Sequence, residues 1–297
     1  MERKKDIKPF FIAIGPEKTG TSWLYENLKE HPEIKMNSIK EIRYLWENQY
    51  VGNVNLVNKV FGKHWHLYSN RNKLKNGAKS FLYFLLKRRQ LKWKELRWHL
   101  RFFFFKHNEK WYRSLFDRTK VTGDITPKYC ELNEKHVKLF HDTVPEAKII
   151  ISLRDPIERQ WSWMKMSLLK HRGLEHLNQI DKSKIEACVK DNAMIQSNDY
   201  KSLIDRWSSI FGKENVLVLF FDELHANPTQ FLSRVEQFLN LEAHTYEGIS
   251  KFSNKGLDIE IPSEIEEKLM KLNRENIFKM QGYLNPEQVN RWLQRYE

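Results

Sequence analysis

Eight consecutive residues, Gly15-Pro16-Glu17-Lys18-Thr19-Gly20-Thr21-Ser22, have the composition of an anion-binding turn. They lie between an apolar run at residues 10–14 and the helical pattern of Trp23, Leu24, Asn27 and Leu28. A glycine-bearing turn between a strand and a helix exposes backbone N–H groups, and the helix dipole adds positive potential. Phosphate is the natural guest. The competing reading is a glycine turn that simply opens a helix.

The stretch is close to the triphosphate loop G-x-x-x-x-G-K-[ST] but departs from it at one position. Thr21 stands where that loop has lysine, and the lysine is inside the turn, at position 18. The hydroxyls of Thr19, Thr21 and Ser22, with the loop amides, suit a single phosphate group. A second stretch, Arg154-Asp155-Pro156-Ile157-Glu158-Arg159-Gln160-Trp161-Ser162, follows an apolar run at residues 148–153. Asp155 suits a helix N-cap, Pro156 the first helical position and Glu158 the reciprocal capping partner. Arg154 then stands at a strand's C-terminal end, where open α/β sheets bind ligands. Ser162 falls about two helical turns beyond the cap, so Arg154 and Ser162 can reach one phosphate group. A capped helix with surface charges is the alternative.

The elements that must hold these residues are legible too. Apolar runs at 10–14, 148–153 and 216–221, with a weaker one at 121–124, read as strands covered on both faces. Helical patterns alternate with them, including Pro228–Leu239 with Phe231, Leu232, Val235, Phe238 and Leu239. Such alternation predicts a doubly wound α/β sheet. One segment interrupts it: residues 81–113 hold ten Lys or Arg and two acidic residues, interleaved with Trp93, Trp98 and residues 102–105. Its Leu82, Leu85, Leu86, Trp93, Leu96, Leu100 and Phe103 fit one stripe, which predicts a basic amphipathic helix that either clamps an acceptor or covers the sheet.

Net charge is +13, which favours anionic partners without choosing among them. Forty per cent apolar residues are enough for a real core and argue against native disorder. Cys130 and Cys188 do not make a disulfide framework, so a reducing, cytoplasmic setting is the simpler expectation. The basic start and its short apolar run are broken by Gly15-Pro16, unlike a signal peptide, and no stretch reaches a transmembrane span.

Together the two motifs resemble the sulfotransferases that use 3′-phosphoadenosine-5′-phosphosulfate (PAPS), with the closest similarity to the heparan-type and related bacterial branch, over about residues 10–270. Gly15–Ser22 looks like the family's 5′-phosphosulfate loop, and the L-R-D-P-x-E-R-x-x-S stretch ending at Ser162 like its 3′-phosphate motif. Lys40-Glu41-Ile42-Arg43-Tyr44-Leu45 resembles the segment that carries the branch's catalytic base. Gly123-Asp124-Ile125-Thr126-Pro127-Lys128-Tyr129 resembles its E-K-T-P-x-Y stretch. Ser253-Asn254-Lys255-Gly256 resembles the late loop that closes over the nucleotide.

The resemblance implies a P-loop-like parallel sheet flanked by helices on both faces, in a single domain of residues 1–297 with an insertion at about 64–116. It implies PAPS as co-substrate, held by Lys18, Thr19, Gly20, Thr21, Ser22, Arg154, Ser162, Lys255 and Gly256. Glu41 would be the base and Lys18 the stabiliser of the leaving phosphate, without a metal. Arg43, Asp124 and Lys128 would lie near the acceptor, a glycan on family grounds. Arg43 replaces a common histidine and Ile125 a common lysine, which puts heparan itself in doubt. Leu257 replaces a common basic residue in the late loop.

Two other functions compete. A P-loop kinase or nucleotide hydrolase needs lysine after Gly20, and Thr21 argues against it. A nucleic-acid-binding module fits the charge and the basic aromatic segment, but no recognisable motif accompanies them. His64 and His66 straddle Trp65 at a spacing weak for zinc. His31, His64 and His66 are rival bases without a supporting motif. Glu41, beside Lys40 and Arg43, could equally be one half of a solvated ion pair.

Overall fold

Continuous apolar runs dictate the sheet. The computed structural model describes residues 10–37, 39–51, 93–117, 119–169, 180–249 and 258–296. Its sheet has four strands: β1 (Phe10–Gly15), β2 (Thr122–Ile125), β3 (Ala147–Leu153) and β4 (Val216–Phe220). Their order is β2-β1-β3-β4 and every pairing is parallel. All four strands expected from the sequence are present, each within a few residues of the apolar run that predicted it.

Burial explains why the runs do not alternate. Every residue of β1 is buried. Phe11 and Ala13 join a cluster with Trp23, Leu24 and Leu28 of α1 (Thr21–Leu28) and with Phe231, Leu232 and Val235 on the Pro228–Leu239 helix. Phe10, Ile12 and Ile14 are buried as well and lie on the other face by strand alternation. The helix Tyr200–Phe211 packs on β3. A parallel sheet with both faces covered needs strands of this kind.

The chain divides into two compact units: Met1–Ile42 with Arg118–Glu297, and Arg43–Asp117. The second contains α2 (Tyr44–Val51), α3 (Trp93–Phe104) and α4 (Glu109–Ser114). Here the expected long basic helix is corrected. The helix ends at Phe104, and Asn108 starts a new one by accepting from the Trp111 N–H. The expected stripe is also turned wrongly, because Trp93 is 81% exposed. The inner side is aromatic instead: Trp98 stacks on Phe102 at 5.2 Å, and His107 on Trp111 at 3.8 Å. The indole N–H groups of Trp98 and Trp111 donate to the carbonyls of Leu115 and Arg101. Period alone did not separate the two faces, because both carry apolar residues. Residues 81–92, His64 and His66 lie outside the described residues.

Sheet packing is tight at Gly123, which pairs with Phe11. A Cβ there would lie 2.4 Å from the Phe11 carbonyl oxygen and 2.6 Å from its ring. Backbone cannot yield as a side chain can. Gly123→Ala should therefore cost about 2–3 kcal/mol, read as a lower midpoint in urea unfolding with an unchanged slope.

Candidate functional site

β1 ends in an irregular register, Ala13 opposite Ile150 but Gly15 opposite Ile151. The extra residue releases the chain into the turn at residues 15–20, beside the end of β3. Gly15, Lys18 and Gly20 have φ of 83°, 70° and 84°. Gly20 also has no room for a side chain: a Cβ would lie 2.8 Å from Leu224 and 3.2 Å from Phe221.

The carbonyls of the turn are drawn into the protein. Thr19, 1% exposed, donates its hydroxyl to the Pro16 carbonyl at 2.7 Å. Its only proton is thereby used, so at the 2.7 Å contact with Ser152 the Ser152 hydroxyl is the donor. Arg159 donates to the Glu17 carbonyl at 3.3 Å, and Arg154 meets that of Lys18 at 3.5 Å. A trans peptide sets N–H opposite C=O, so holding these carbonyls turns the next N–H groups the other way. Among the described residues, no N–H of residues 17–22 donates to a backbone carbonyl. Gly20 offers α1 no side-chain cap. Asn108, Asn133, Asp155, Asp181, Asp199 and Asn227 do cap their helices. The start of α1 is thus left open to an anion.

The second motif meets the first at this point. Asp155 caps the helix Pro156–Met164, accepting from the Ile157 and Glu158 N–H groups as predicted. Arg154 lies 4.6 Å over the Phe221 ring. Ser162 is half-buried on that helix, and its hydroxyl makes no hydrogen bond among the described residues. Burial lowers the pKa of Lys18, and Arg154 and then Lys165 lower it further against Glu17. Lys165 is lowered by burial and by Arg154. Cations that depress one another share a neighbourhood.

Glu41 reaches the same region through Lys40. The Lys40 ammonium lies 3.2 Å from the Glu41 carboxylate and 3.2 Å from the Ser22 hydroxyl. Both side chains of the pair are less than a fifth exposed, so it is not the solvated pair weighed above.

The sequence model of the Sulfotransferase family matches residues 9–245. The chain belongs to this family. It is 24% identical over 264 residues to human bifunctional heparan sulfate N-deacetylase/N-sulfotransferase 3, covering 82% of this chain and 23% of that protein. It is 25% identical over 277 residues to mouse carbohydrate sulfotransferase 15, covering 78% of this chain and 44% of that one. The chain thus spans less than half the length of these curated relatives. A solved sulfotransferase from Alicyclobacillus acidocaldarius shares its fold, with a TM-score of 0.59 at 19% identity over 93% of this chain and 95% of that one.

Within this sulfotransferase fold, several expected roles change. Thr19 was expected to offer its hydroxyl to a ligand, but that hydroxyl closes the turn, which leaves its N–H. Asp124, expected at the acceptor, is 2% exposed and accepts from Thr126 at 2.7 Å and Tyr129 at 2.8 Å. Its carboxylate also meets the Ile42 N–H at 3.5 Å, so it braces the chain beside Glu41. Lys128 is bound to Glu131 at 2.5 Å and lies 3.7 Å from Glu17. Burial pulls its pKa down, but the two carboxylates outweigh it and hold the pKa above the ordinary value.

His31 is buried between the Glu33 N–H and the Glu242 carbonyl, a structural position for a rival base. Arg43 belongs to the second unit, where its guanidinium lies 5.9 Å over Trp46. Lys255 and Gly256 lie outside the described residues. Sequence reasoning missed Ser152, Lys165 and Phe221. Lys165 alone carried a signal, a cation one turn beyond Ser162.

Thr19→Val would leave the Pro16 carbonyl without its donor and strip Ser152 of its acceptor. A loss of about 1–3 kcal/mol is expected in urea unfolding, with a smaller loss for Ser152→Ala, which breaks one bond.

Proposed function

We propose that the protein transfers a sulfuryl group from PAPS to an acceptor hydroxyl or amine, with a glycan as the acceptor. One observation carries the reading. Arg154 of the second motif touches the backbone of Lys18 in the first, so the two phosphate grips share one site. The residues present fit such a donor. Unpaired turn amides and the open start of α1 suit the 5′-phosphate, and Lys18 stands beside them. Arg154 and Ser162 suit the 3′-phosphate, because a planar guanidinium binds phosphate through two parallel bonds. Lys255 and Gly256 complete the reading by resemblance alone.

The acceptor oxygen or nitrogen attacks sulfur, and the bond from sulfur to the 5′-phosphate oxygen breaks. Glu41 takes the acceptor's proton. Lys18 stabilises the charge that develops on the leaving oxygen. Arg43 and Lys128 are assigned to the acceptor by resemblance alone, Lys128 through an ammonium already paired with Glu131. The names of the heparan and carbohydrate sulfotransferase relatives support the glycan. The free thiols of Cys130 and Cys188 accord with the cytoplasmic setting that completes the proposal. Thr21, in place of the nucleotide-triphosphate loop's lysine, weighs against the kinase reading.

Radiolabel from PAPS should appear on a member of a glycan panel. Lys18→Met should lower kcat by about 10²–10³, and Glu41→Gln should lower kcat with little change in the affinity for adenosine 3′,5′-bisphosphate. A protein that binds this bisphosphate only with magnesium, or not at all, is not a sulfotransferase of this kind.

A second prediction concerns protons. In the free protein the Lys18 pKa lies below that of an ordinary lysine. A phosphate bound against it favours the charged form and raises it. Binding therefore takes up protons in the alkaline window between the free and bound values. Calorimetry of bisphosphate binding in buffers of different ionisation enthalpy should show this uptake, and Lys18→Met should reduce it to what Lys165 contributes.

A further inference from the structure

We propose that Arg159 is the positioning residue of the phosphate turn: it holds the Glu17 carbonyl inward and so aims the Lys18 N–H at the 5′-phosphate. This rests on the sulfuryl-transfer reading of the site. Arg159 has 0% exposure. Its guanidinium donates to Asn198 Oδ1 at 2.7 Å, Ser197 Oγ at 2.7 Å, the Met194 carbonyl at 2.9 Å and the Glu17 carbonyl at 3.3 Å. Every one of these acceptors is neutral. Among the described residues no carboxylate forms an ion pair with it. A fully buried charge without a counter-charge is costly, so its persistence calls for a task that a neutral side chain cannot perform.

The geometry defines that task. Only a rigid planar fork reaches a carbonyl of the turn and, on its other edges, residues 194–198 at once. Those acceptors are themselves fixed. Asn198 donates to Asn273 at 2.6 Å, and Asn273 donates to Gln160 at 3.1 Å, with all three side chains fully buried. The Glu17 carbonyl is thus tied to a satisfied buried network, which resists rearrangement. Peptide planarity passes that constraint to the Lys18 N–H. The uncompensated charge also adds to the potential that an anion meets at the turn.

The test compares two nucleotides by calorimetry: adenosine 3′,5′-bisphosphate, and adenosine 3′-monophosphate, which has no 5′-phosphate. Arg159→Lys keeps the charge and loses the fork. The bisphosphate affinity should fall about tenfold, the size of one hydrogen bond to a charged group, while 3′-monophosphate affinity stays unchanged. Arg154→Ala should instead weaken both. Equal loss of both nucleotides in Arg159→Lys, or no loss of either, overturns the proposal. Fitted stoichiometry separates folded fraction from affinity. Should Arg159→Lys not fold, Ser197→Ala decides, since it removes one acceptor and leaves the charge in place. A selective loss of about threefold for the bisphosphate supports the proposal, and wild-type affinity for both nucleotides defeats it. Wild-type protein that binds neither nucleotide overturns the functional reading and this proposal with it.

Discussion

A turn that binds an anion must keep its own carbonyl oxygens away from it, and this constraint organises the site. The carbonyls of Pro16, Glu17 and Lys18 each meet a donor of the protein: the Thr19 hydroxyl, Arg159 and Arg154. These donors rest on two supports, β3 and residues 194–198. Thr19 is fastened to Ser152 near the end of β3. Arg159 is fastened to residues 194–198, and Arg154 continues directly from β3. The turn's shape is therefore a property of tertiary packing. Glycine at positions 15 and 20 permits the left-handed backbone but does not select the direction of the peptides between them.

The same region concentrates positive charge by diverting its carboxylates. Glu17 lies within reach of Lys128, which is bound more closely to Glu131. Asp155 and Glu158 flank Arg154, yet Arg295 takes both, at 3.0 Å and 2.6 Å. Burial raises the pKa of Asp155, and Arg295 with the Glu158 and Ile157 N–H groups opposes that rise only in part. Glu158 keeps only a 3.4 Å contact with Arg154. Lys18 and Lys165 keep depressed pKa values beside Arg154. A cluster of cations held apart from its natural partners stores repulsion that any bound anion would relieve.

Local chemistry was legible in the sequence, and distant partnership was not. The four strands were readable because burial on both faces leaves an unbroken apolar run. The Asp155 cap was readable because Pro156 and the cap lie side by side. At Asp124 a carboxylate ending a strand suited a structural cap as well as an acceptor contact, and nothing local marked Tyr129 and Thr126 as its donors. Arg159 had no role in the sequence reading because three of its acceptors lie 35–39 residues further along the chain and the fourth, the Glu17 carbonyl, 142 residues back. The basic helix was misdrawn because seven apolar positions fitted one stripe, while packing selected Trp98 and Phe102, which lay off it.

Sheet order explains why two motifs more than a hundred residues apart become neighbours. From β1 the chain passes to β2 on one side, and β3 then lies on the other side of β1. Connections at the C-terminal ends of β1 and β3 thus diverge and leave a crevice, the topological switch point of an open α/β sheet. Adjacent strands are about 4.8 Å apart, and Gly15, the last residue of β1, pairs with Ile151, two residues before β3 ends, so the turn runs alongside the last residues of β3. The turn after Gly15 and the Arg154 side chain after Leu153 are then neighbours by register. β4 ends opposite Leu153, at Phe220. That pairing delivers Phe221 beneath the Arg154 guanidinium and against Gly20, so the turn and Arg154 rest on one aromatic ring. The distance between the turn and Arg154 is therefore set by strand pairing.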